Sequence, residues 1–273
     1  MLSNILKRLR KVLLWALVRN LGSARELDRI RAYLETGLDV TSPAGTNALQ
    51  RSDYGYFPGL SAYPWHDPAE IPWTKTMLQS LDTIVEELET IRALKGYRPG
   101  QLESMLTDTG SWELVYLLIM GKKSKAGHLL CPKTTSLMGG ISDIKGAGVV
   151  FFSSLAPGSH VNAHCDGTNT RLRLHLGLVV PTGCSIRVAE ERRTWEEGKF
   201  LLFDGSFEHE VWNQGPETRW VLIVDIWHPE LTQVERRALT RLSYVRSKER
   251  MVRRVLQSTD HEIFCQVKVP AKK

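Results

Sequence analysis

The sequence has no long hydrophobic run: no apolar stretch reaches the roughly 18 residues that a membrane-spanning helix requires. It also has no internal repeat, no low-complexity tract, no zinc-finger spacing and no aromatic RNA-binding strand motif, so we expect no nucleic-acid partner. Its four cysteines form no CxxC pair and have no regular spacing. Free thiols in a reducing intracellular compartment are therefore favoured, and one or two disulfides remain open.

Acidic residues are absent from the first 25 positions, which carry six basic ones. Apolar residues there recur at the spacing of an amphipathic helix, at positions 2, 5, 6, 9, 12, 13, 16 and 17. Three interpretations are open for this helix: peripheral contact of residues 1–20 with a membrane surface, a mitochondrial-type targeting segment, or a helix docked on the main domain. The net charge of +6 is compatible with anionic lipids or acidic substrates.

The composition, 42% hydrophobic and 24% charged, is that of an ordinary globular protein with a packed core. Asp67 and Pro68 predict a helix start, which Pro72 can delay by a turn, and Gly96 predicts its end. Other helical patterns cover 23–38, 133–137 and 230–256. Strand-like runs lie at 112–120, 148–155, 160–163, 170–180, 184–189, 199–203, 208–212, 219–227 and 262–269. Many short strands separated by turn residues predict a β-sandwich or jelly roll.

Two histidines and one aspartate have the spacing of a facial metal triad: His164 and Asp166, followed by His209. Neutral imidazoles and a carboxylate suit Fe(II) and leave open coordination positions on the metal. Each histidine alone also fits a hydrogen-bonded core residue, and Asp166 alone fits a solvent-facing turn. The metal-site interpretation therefore depends on the residues around these three.

Strand 170–180 carries Arg171, Arg173 and His175 on one face, because side chains alternate along a strand, and four leucines on the other. Buried guanidinium groups need anions, and carboxylates match their geometry. A solvent-exposed basic face is the alternative interpretation.

His209 and Arg219 lie at equal distances from Gln214 in the turn between two strands. In a regular antiparallel hairpin they would face each other, which would place a cation beside the last metal ligand. This arrangement suits a 2-oxo acid with a carboxylate at its far end.

From about residue 153 to 231 the chain resembles the aspartyl/asparaginyl β-hydroxylase family of Fe(II)/2-oxoglutarate oxygenases. The resemblance rests on several near-identical strings. They are Pro157-Gly-Ser-His-Val161, Arg171-Leu-Arg-Leu-His-Leu-Gly-Leu178, Thr194-Trp-Glu-Glu-Gly-Lys199, Phe203-Asp-Gly-Ser-Phe-Glu-His-Glu-Val-Trp212 and Val224-Asp-Ile-Trp-His-Pro-Glu-Leu231.

The resemblance implies an α+β, mainly β fold: a double-stranded β-helix (jelly-roll, cupin-like) core with flanking helices. We divide the chain into a basic amphipathic helix at 1–25, a helical part of the oxygenase domain at 26–110, the catalytic core at 111–231, and a basic helical tail at 232–273.

The resemblance also assigns roles around the metal. His164 and His209 are the expected iron ligands, and Asp166 can complete the triad, although some family members lack a carboxylate at this position. The implied cofactors are Fe(II), 2-oxoglutarate as co-substrate and O₂.

Further roles follow for the anion-binding residues. Arg173 and His175 are expected at the metal-bound end of 2-oxoglutarate, and Ser153 and Arg219 at its distal carboxylate. Arg171 matches a position that faces an acidic side chain of the substrate.

The expected function is hydroxylation of an sp³ carbon, first the β-carbon of an aspartyl or asparaginyl residue or a related amino acid. Partners would then be acidic or amide-bearing peptides or amino acids. The alternatives are a lipid acyl-chain hydroxylase at a membrane surface and a non-catalytic jelly-roll protein that binds metal and a partner.

Overall fold

The computed structural model describes residues 2–42, 47–94 and 106–246. The helices are α1 (Leu2–Val18), α2 (Asp28–Glu35), α3 (Thr74–Leu78), α4 (Leu81–Arg92), α5 (Lys125–Leu130), α6 (Pro132–Gly139) and α7 (Gln233–Arg246). The strands are β1 (Trp65–His66), β2 (Thr107–Thr109), β3 (Trp112–Ile119), β4 (Lys122–Lys123), β5 (Val149–Leu155), β6 (Ser159–His164), β7 (Arg171–Val179), β8 (Cys184–Val188), β9 (Glu191–Arg193), β10 (Phe200–Phe203), β11 (His209–Asn213) and β12 (Arg219–Trp227). None of the helices within these ranges is long and apolar enough to cross a bilayer.

The strands form two sheets in which all neighbouring strands run antiparallel. The larger sheet has the order β1-β10-β7-β12-β5-β3-β4, and the smaller has the order β2-β6-β11-β8-β9. Strands adjacent in space are mostly distant in sequence, as in a jelly roll. The fold is the expected mainly β, cupin-like double-stranded β-helix with flanking helices.

Two apolar layers hold this core together. One lies between the sheets and contains Val161, Ile186 and Ile223. The other lies between the larger sheet and helices α3 to α6. A third cluster joins α1 and α2 to α7 and to the end of β12. Each sheet therefore needs apolar side chains on its buried face, and the larger sheet needs them on both faces.

Strand β7 confirms the predicted alternation. Its leucines Leu172, Leu174, Leu176 and Leu178 belong to the layer under the helices. Arg173 and His175 point to the other side, into the space between the sheets. The basic face is therefore interior, and the alternative of a solvent-exposed basic face is wrong for these two residues.

All seven strands predicted between 148 and 227 are present, and their ends differ from the prediction by at most one residue. The short strands β1, β2, β4 and β9 and the helix α5 were not predicted, because so few residues show no periodicity. The predicted strand at 262–269 and the end of the helical pattern at 230–256 lie outside the described residues.

The predicted helix from Asp67 is divided. Asp67 accepts a hydrogen bond from the Ala69 backbone N–H at 2.8 Å, but it caps only a 3₁₀ turn at Pro68–Glu70. The α-helix begins at Thr74, two residues after Pro72, as that proline allowed, and a break at Gln79 and Ser80 separates α3 from α4. The predicted stop at Gly96 lies outside the described residues.

The predicted hairpin between His209 and Arg219 is wrong. Strand β11 pairs with β6 and β8 in the smaller sheet, whereas β12 pairs with β5 and β7 in the larger one. The connection crosses between the sheets, and Asn213 holds it through hydrogen bonds from its Nδ2 to the carbonyls of Leu155 and Glu217 at 2.7 and 2.8 Å. Strand periodicity does not report which sheet a strand joins.

Cys131, Cys165 and Cys184 are free thiols, as expected. Cys265 lies outside the described residues.

Helix α6 begins at Pro132 without a cap from its own preceding residue, because Cys131 makes no side-chain cap hydrogen bond. Glu87 of α4 supplies the acceptor instead: its carboxylate receives the backbone N–H groups of Lys133 and Thr134, both at 2.8 Å. Glu87 is buried, and the two N–H donors and the helix dipole stabilise its carboxylate there.

We therefore expect Glu87→Ala to lower the free energy of unfolding by about 2–3 kcal/mol, because two charge-assisted hydrogen bonds are lost and a helix start is left uncapped. Urea unfolding measures the change. The neighbouring Glu86→Ala is the matched control: Glu86 is exposed and pairs with Lys133 Nζ at 3.2 Å, so its loss should cost less than about 0.5 kcal/mol. Equal effects of the two substitutions would contradict the capping role.

Candidate active site

A cavity lies between the two sheets. Strands β6 and β11 of the smaller sheet contribute His164 and His209 to its lining. Its polar lining consists of Ser153, His164, Arg173, His175, His209 and Arg219, and its walls include Trp112 and Phe203. The structure thus brings together six of the eight predicted site residues. Asp166 lies next to them, and Arg171 is the one residue outside this group.

His164 at the end of β6 is the direct ladder partner of His209 at the start of β11. Their ring centroids are 4.2 Å apart. Asp166 follows two residues after β6, and ligand atoms of all three side chains lie within 4.8 Å of one another. Residues that face each other across two strands converge on one point, and this is how a distant pair in the sequence becomes a pair of ligands.

The backbone orients both imidazoles. Nδ1 of His164 lies 2.7 Å from the carbonyl of Asn162, and Nδ1 of His209 lies 2.9 Å from the carbonyl of Phe207. A carbonyl can only accept, so Nδ1 carries the hydrogen in each ring and Nε2 presents its lone pair. Burial lowers the pKa of His209 to about 3, which keeps it neutral and able to bind a metal.

Asp166 is held against the backbone of the segment before β11. Its N–H donates to the carbonyl of Gly205 at 2.6 Å. A Cβ on Gly205 would lie 2.1 Å from an Asp166 carboxylate oxygen, so glycine is required there. Burial raises the pKa of Asp166, but the Arg173 guanidinium at 3.1 Å, together with His209, Arg171 and His164, lowers it, and the net direction is downward. The carboxylate is therefore ionised and able to act as the third ligand.

Arg173 has two internal partners. Besides Asp166, its Nε donates to Asp225 on the adjacent strand β12 at 2.9 Å. Arg171 also reaches Asp225, at 3.5 Å, and donates to the carbonyl of Ala147. Arg171 does not line the cavity, so its role towards a substrate stays a prediction. Asp225 lies on the same face of β12 as Arg219, because side chains alternate along a strand. This alternation was the signal that could have identified Asp225 as a residue near the site.

Arg219 is the most unusual side chain of the site. It is 2% exposed, and no carboxylate within the described ranges forms a salt bridge with it. One of its terminal nitrogens donates to Ser153 Oγ at 3.1 Å, its Nε has no partner, and the guanidinium lies over the Trp195 ring at 4.7 Å. Burial lowers the pKa of Arg219 to about 10, which still leaves it charged at neutral pH.

Two tryptophans that the sequence reasoning did not assign to the site prepare hydrogen-bond donors for a ligand. Trp195 Nε1 donates to His175 Nδ1 at 3.2 Å, so the hydrogen of His175 sits on Nε2, which is buried and has no partner. Trp112 Nε1 donates to Ser153 Oγ at 2.9 Å. Since Ser153 Oγ already accepts from Trp112 and Arg219, its own hydrogen remains available. Trp195 lies in one of the quoted strings, which was the available signal.

The residues present fit a divalent metal and an anionic ligand. Two imidazoles and a carboxylate on one side form a donor set for Fe(II). The unpartnered donors on His175 and Arg219 fit a carboxylate, because buried polar groups are normally paired.

Comparison with known proteins identifies the family. The family model described as Aspartyl/Asparaginyl beta-hydroxylase matches residues 78–229, more than half of the chain. The chain belongs to this family. The aspartyl/asparaginyl beta-hydroxylase of Mus musculus is 43% identical over 197 residues, which are 70% of this chain and 26% of that protein. The protein of the same name from Homo sapiens is 42% identical with the same coverage.

With another relative, the matched region is a larger share of the relative's own length. The ornithine lipid ester-linked acyl 2-hydroxylase of Rhizobium tropici is 36% identical over 175 residues, 61% of each chain. The present chain spans about a quarter of the length of the two β-hydroxylases. A solved cupin 2 conserved barrel domain protein from Salinispora arenicola matches 55% of this chain and 96% of its own, at 12% identity and a TM-score of 0.30.

Loss of a metal ligand gives a direct test of the family site. His209→Ala removes one of three ligands, so we expect the affinity for Mn(II) to fall by at least about a hundredfold, more than the loss of a residue that only orients a ligand. Isothermal titration of the protein with Mn(II) measures this. His128→Ala, an exposed histidine on α5, should bind Mn(II) as wild type does. Unchanged affinity in His209→Ala would rule out this metal centre.

Proposed function

We propose that the protein is an Fe(II)- and 2-oxoglutarate-dependent dioxygenase that hydroxylates an sp³ carbon. The observation that carries the proposal is the buried Arg219 guanidinium, which no carboxylate of the described residues pairs with, in a cavity lined by His164 and His209 of the possible metal triad with Asp166. A buried, uncompensated charge costs several kcal/mol, and an anionic co-substrate would offset that cost when it binds.

The polar groups form two ends, as a dicarboxylate requires. At one end Arg219 supplies the charge and Ser153 a free hydroxyl hydrogen for the distal carboxylate. At the other, near the metal ligands, His175 offers Nε2–H and Arg173 a positive charge. When bound, iron and 2-oxoglutarate would supply the oxidation, in which O₂ and 2-oxoglutarate yield succinate, CO₂ and one hydroxyl group on the substrate.

The chain's own contribution is to hold and orient these components. The neutral His175 donates a hydrogen bond without adding charge, because burial, together with the charges of Arg219 and Arg173, keeps its pKa well below the usual value. Arg173 keeps Asp166 ionised and in place. The apolar walls of the cavity, Val161, Ile186 and Ile223 among them, exclude water from the reacting groups.

The first substrate class is an aspartyl or asparaginyl residue or a related amino acid, hydroxylated at its β-carbon. This substrate class is supported by the Mus musculus relative, which is named for aspartyl/asparaginyl β-hydroxylation and is 43% identical over 197 residues. The second candidate is the acyl chain of a lipid. The Rhizobium tropici relative is named for that activity, and an exposed apolar face on α1 favours contact with lipid.

Arg219→Ala should weaken the affinity for 2-oxoglutarate by at least about a hundredfold, because a buried charged hydrogen-bond partner of a carboxylate is lost. Anaerobic titration with Fe(II) and 2-oxoglutarate, followed through the weak visible absorption of the chelate, measures the change. Succinate formation from 2-oxoglutarate tests turnover in the same preparations.

Arg92→Ala is the matched control, since Arg92 is an exposed arginine that pairs with Glu89 in the same helix at 2.5 Å and does not line the cavity. It should titrate as wild type does. If the wild-type protein binds metal tightly but gives neither chelate absorption nor succinate, the oxygenase proposal fails, and the non-catalytic metal-binding protein becomes the better description.

Trp195→Phe tests the positioning role of Trp195. Phenylalanine keeps an aromatic ring near Arg219 but removes the N–H that fixes the tautomer of His175. We expect about tenfold weaker binding of 2-oxoglutarate with unchanged affinity for Mn(II). A purely structural role would instead lower the melting temperature and weaken both ligands together, so equal losses would contradict positioning.

A further inference from the structure

Helix α1 is apolar on two opposite sides. Leu14 and Val18 are buried in the cluster formed with α2 and α7. Leu9, Val12 and Leu13 lie on the far side of the helix, given 3.6 residues per turn, and are exposed by 53, 63 and 66%. Leu17, 38% exposed, lies one turn after Leu13 at the edge of the docked face. These four residues are called the α1 ridge below. The docked face accounts for the folded position of the helix but leaves the ridge unexplained.

The ridge is a concentrated patch rather than a scatter of single residues. Among the described residues it supplies four of the eight large hydrophobic side chains that are exposed. The other four are distributed over the loop residues Tyr54 and Tyr63 and over Leu78 and Leu129 on two different helices. Single exposed apolar residues need no explanation, whereas a contiguous patch marks an interaction surface.

Basic residues accompany the ridge. Arg8 on α1 and Arg19, which follows the helix directly, are exposed. Arg237 and Arg241 of α7 are also exposed, and they donate to the carbonyls of Leu21 and Leu17 at 3.5 and 3.0 Å, close to the end of α1. The first 25 positions hold no acidic residue at all. The surface therefore combines an apolar strip with positive charge, as do helices that lie in a membrane interface.

We propose that the α1 ridge binds the surface of an anionic lipid bilayer. The leucines and the valine enter the boundary between headgroups and acyl chains, and the arginines contact lipid phosphates. This contact is separate from the proposed hydroxylation and does not depend on it.

The positive charge around the α1 ridge disfavours two other binding partners. A second copy of the chain has the same net charge of +6 and would set one basic surface against another. Residues 247–273 carry seven Lys and Arg residues against three acidic ones, so they too are repelled by the arginines. An anionic bilayer is attractive to both the apolar and the basic parts of the surface.

Helix α2, which shares an apolar cluster with α1, is tied to the segment after β6 that carries Asp166, so binding of α1 to a bilayer would also orient the cavity. Tyr33 of α2 donates through its hydroxyl to the carbonyl of Tyr54 at 3.0 Å, and the N–H of Tyr54 donates to the carbonyl of Gly167 at 2.8 Å. Phe57 exchanges two backbone hydrogen bonds with the side chain of Asn169, both at 2.9 Å. Asp166 is the neighbour of Gly167 in the chain.

Co-sedimentation of the full chain with vesicles tests the proposal. The vesicles contain either phosphatidylcholine alone or phosphatidylcholine mixed with phosphatidylglycerol. Wild type should bind the mixed vesicles, more weakly as salt increases and only slightly to phosphatidylcholine alone. The double variant Leu9→Glu/Leu13→Glu should bind at least about tenfold more weakly. Leu129→Glu changes a comparably exposed leucine elsewhere and should bind as wild type does.

Three results would overturn the proposal. These are absence of wild-type binding to the mixed vesicles at low salt, equal binding of the double variant, or a wild-type dimer in light scattering that the double variant dissociates. The last result would assign the ridge to a second copy. If the double variant proves less thermally stable than wild type, Arg8→Gln/Arg19→Gln serves instead, and it should lose most of the salt-dependent part of the binding.

Discussion

The burial of a positive charge between two apolar sheets is the constraint on which the site depends. Arg219 sits in the layer where the fold would otherwise place an aliphatic side chain, and its partners are a hydroxyl and an indole ring rather than a carboxylate. Such an arrangement is costly unless an anion compensates the charge. The surrounding strands leave the guanidinium almost no contact with water, and the same confinement would strengthen its attraction for an anion.

A chain of charges links the sheets at the opposite end of the cavity. Asp166 follows a strand of the smaller sheet, whereas Arg173 and Asp225 belong to neighbouring strands of the larger one, and the three form two consecutive ion pairs at 3.1 and 2.9 Å. The carboxylate that would bind the metal is thus positioned by the sheet that carries Arg173, His175 and Arg219. If the proposed function holds, the geometry at the metal and that at the co-substrate would be coupled through Arg173.

Most of the fold was accessible from the sequence, because strands buried on one or both faces have regular alternation or continuous apolar runs. The positions of Arg173 and His175 on the inner face of β7 followed directly from that alternation. What alternation does not encode is the choice of sheet. The predicted pairing of His209 with Arg219 was therefore wrong: β11 and β12 belong to different sheets. The side-chain contacts of Trp112 and Trp195 were equally inaccessible, because they connect residues 41 and 20 positions apart.

His164 and His209 receive their orientation from carbonyls located two residues earlier in their own strands or turns. Their direction is therefore a local property of the backbone and does not depend on any outer side chain. A protein built in this way can change its surface loops, its flanking helices and the partners it meets without disturbing how the rings point. The directions of the two rings are thus independent of the surface, and this offers a physical reason why such a core could be adapted to chemically different substrates.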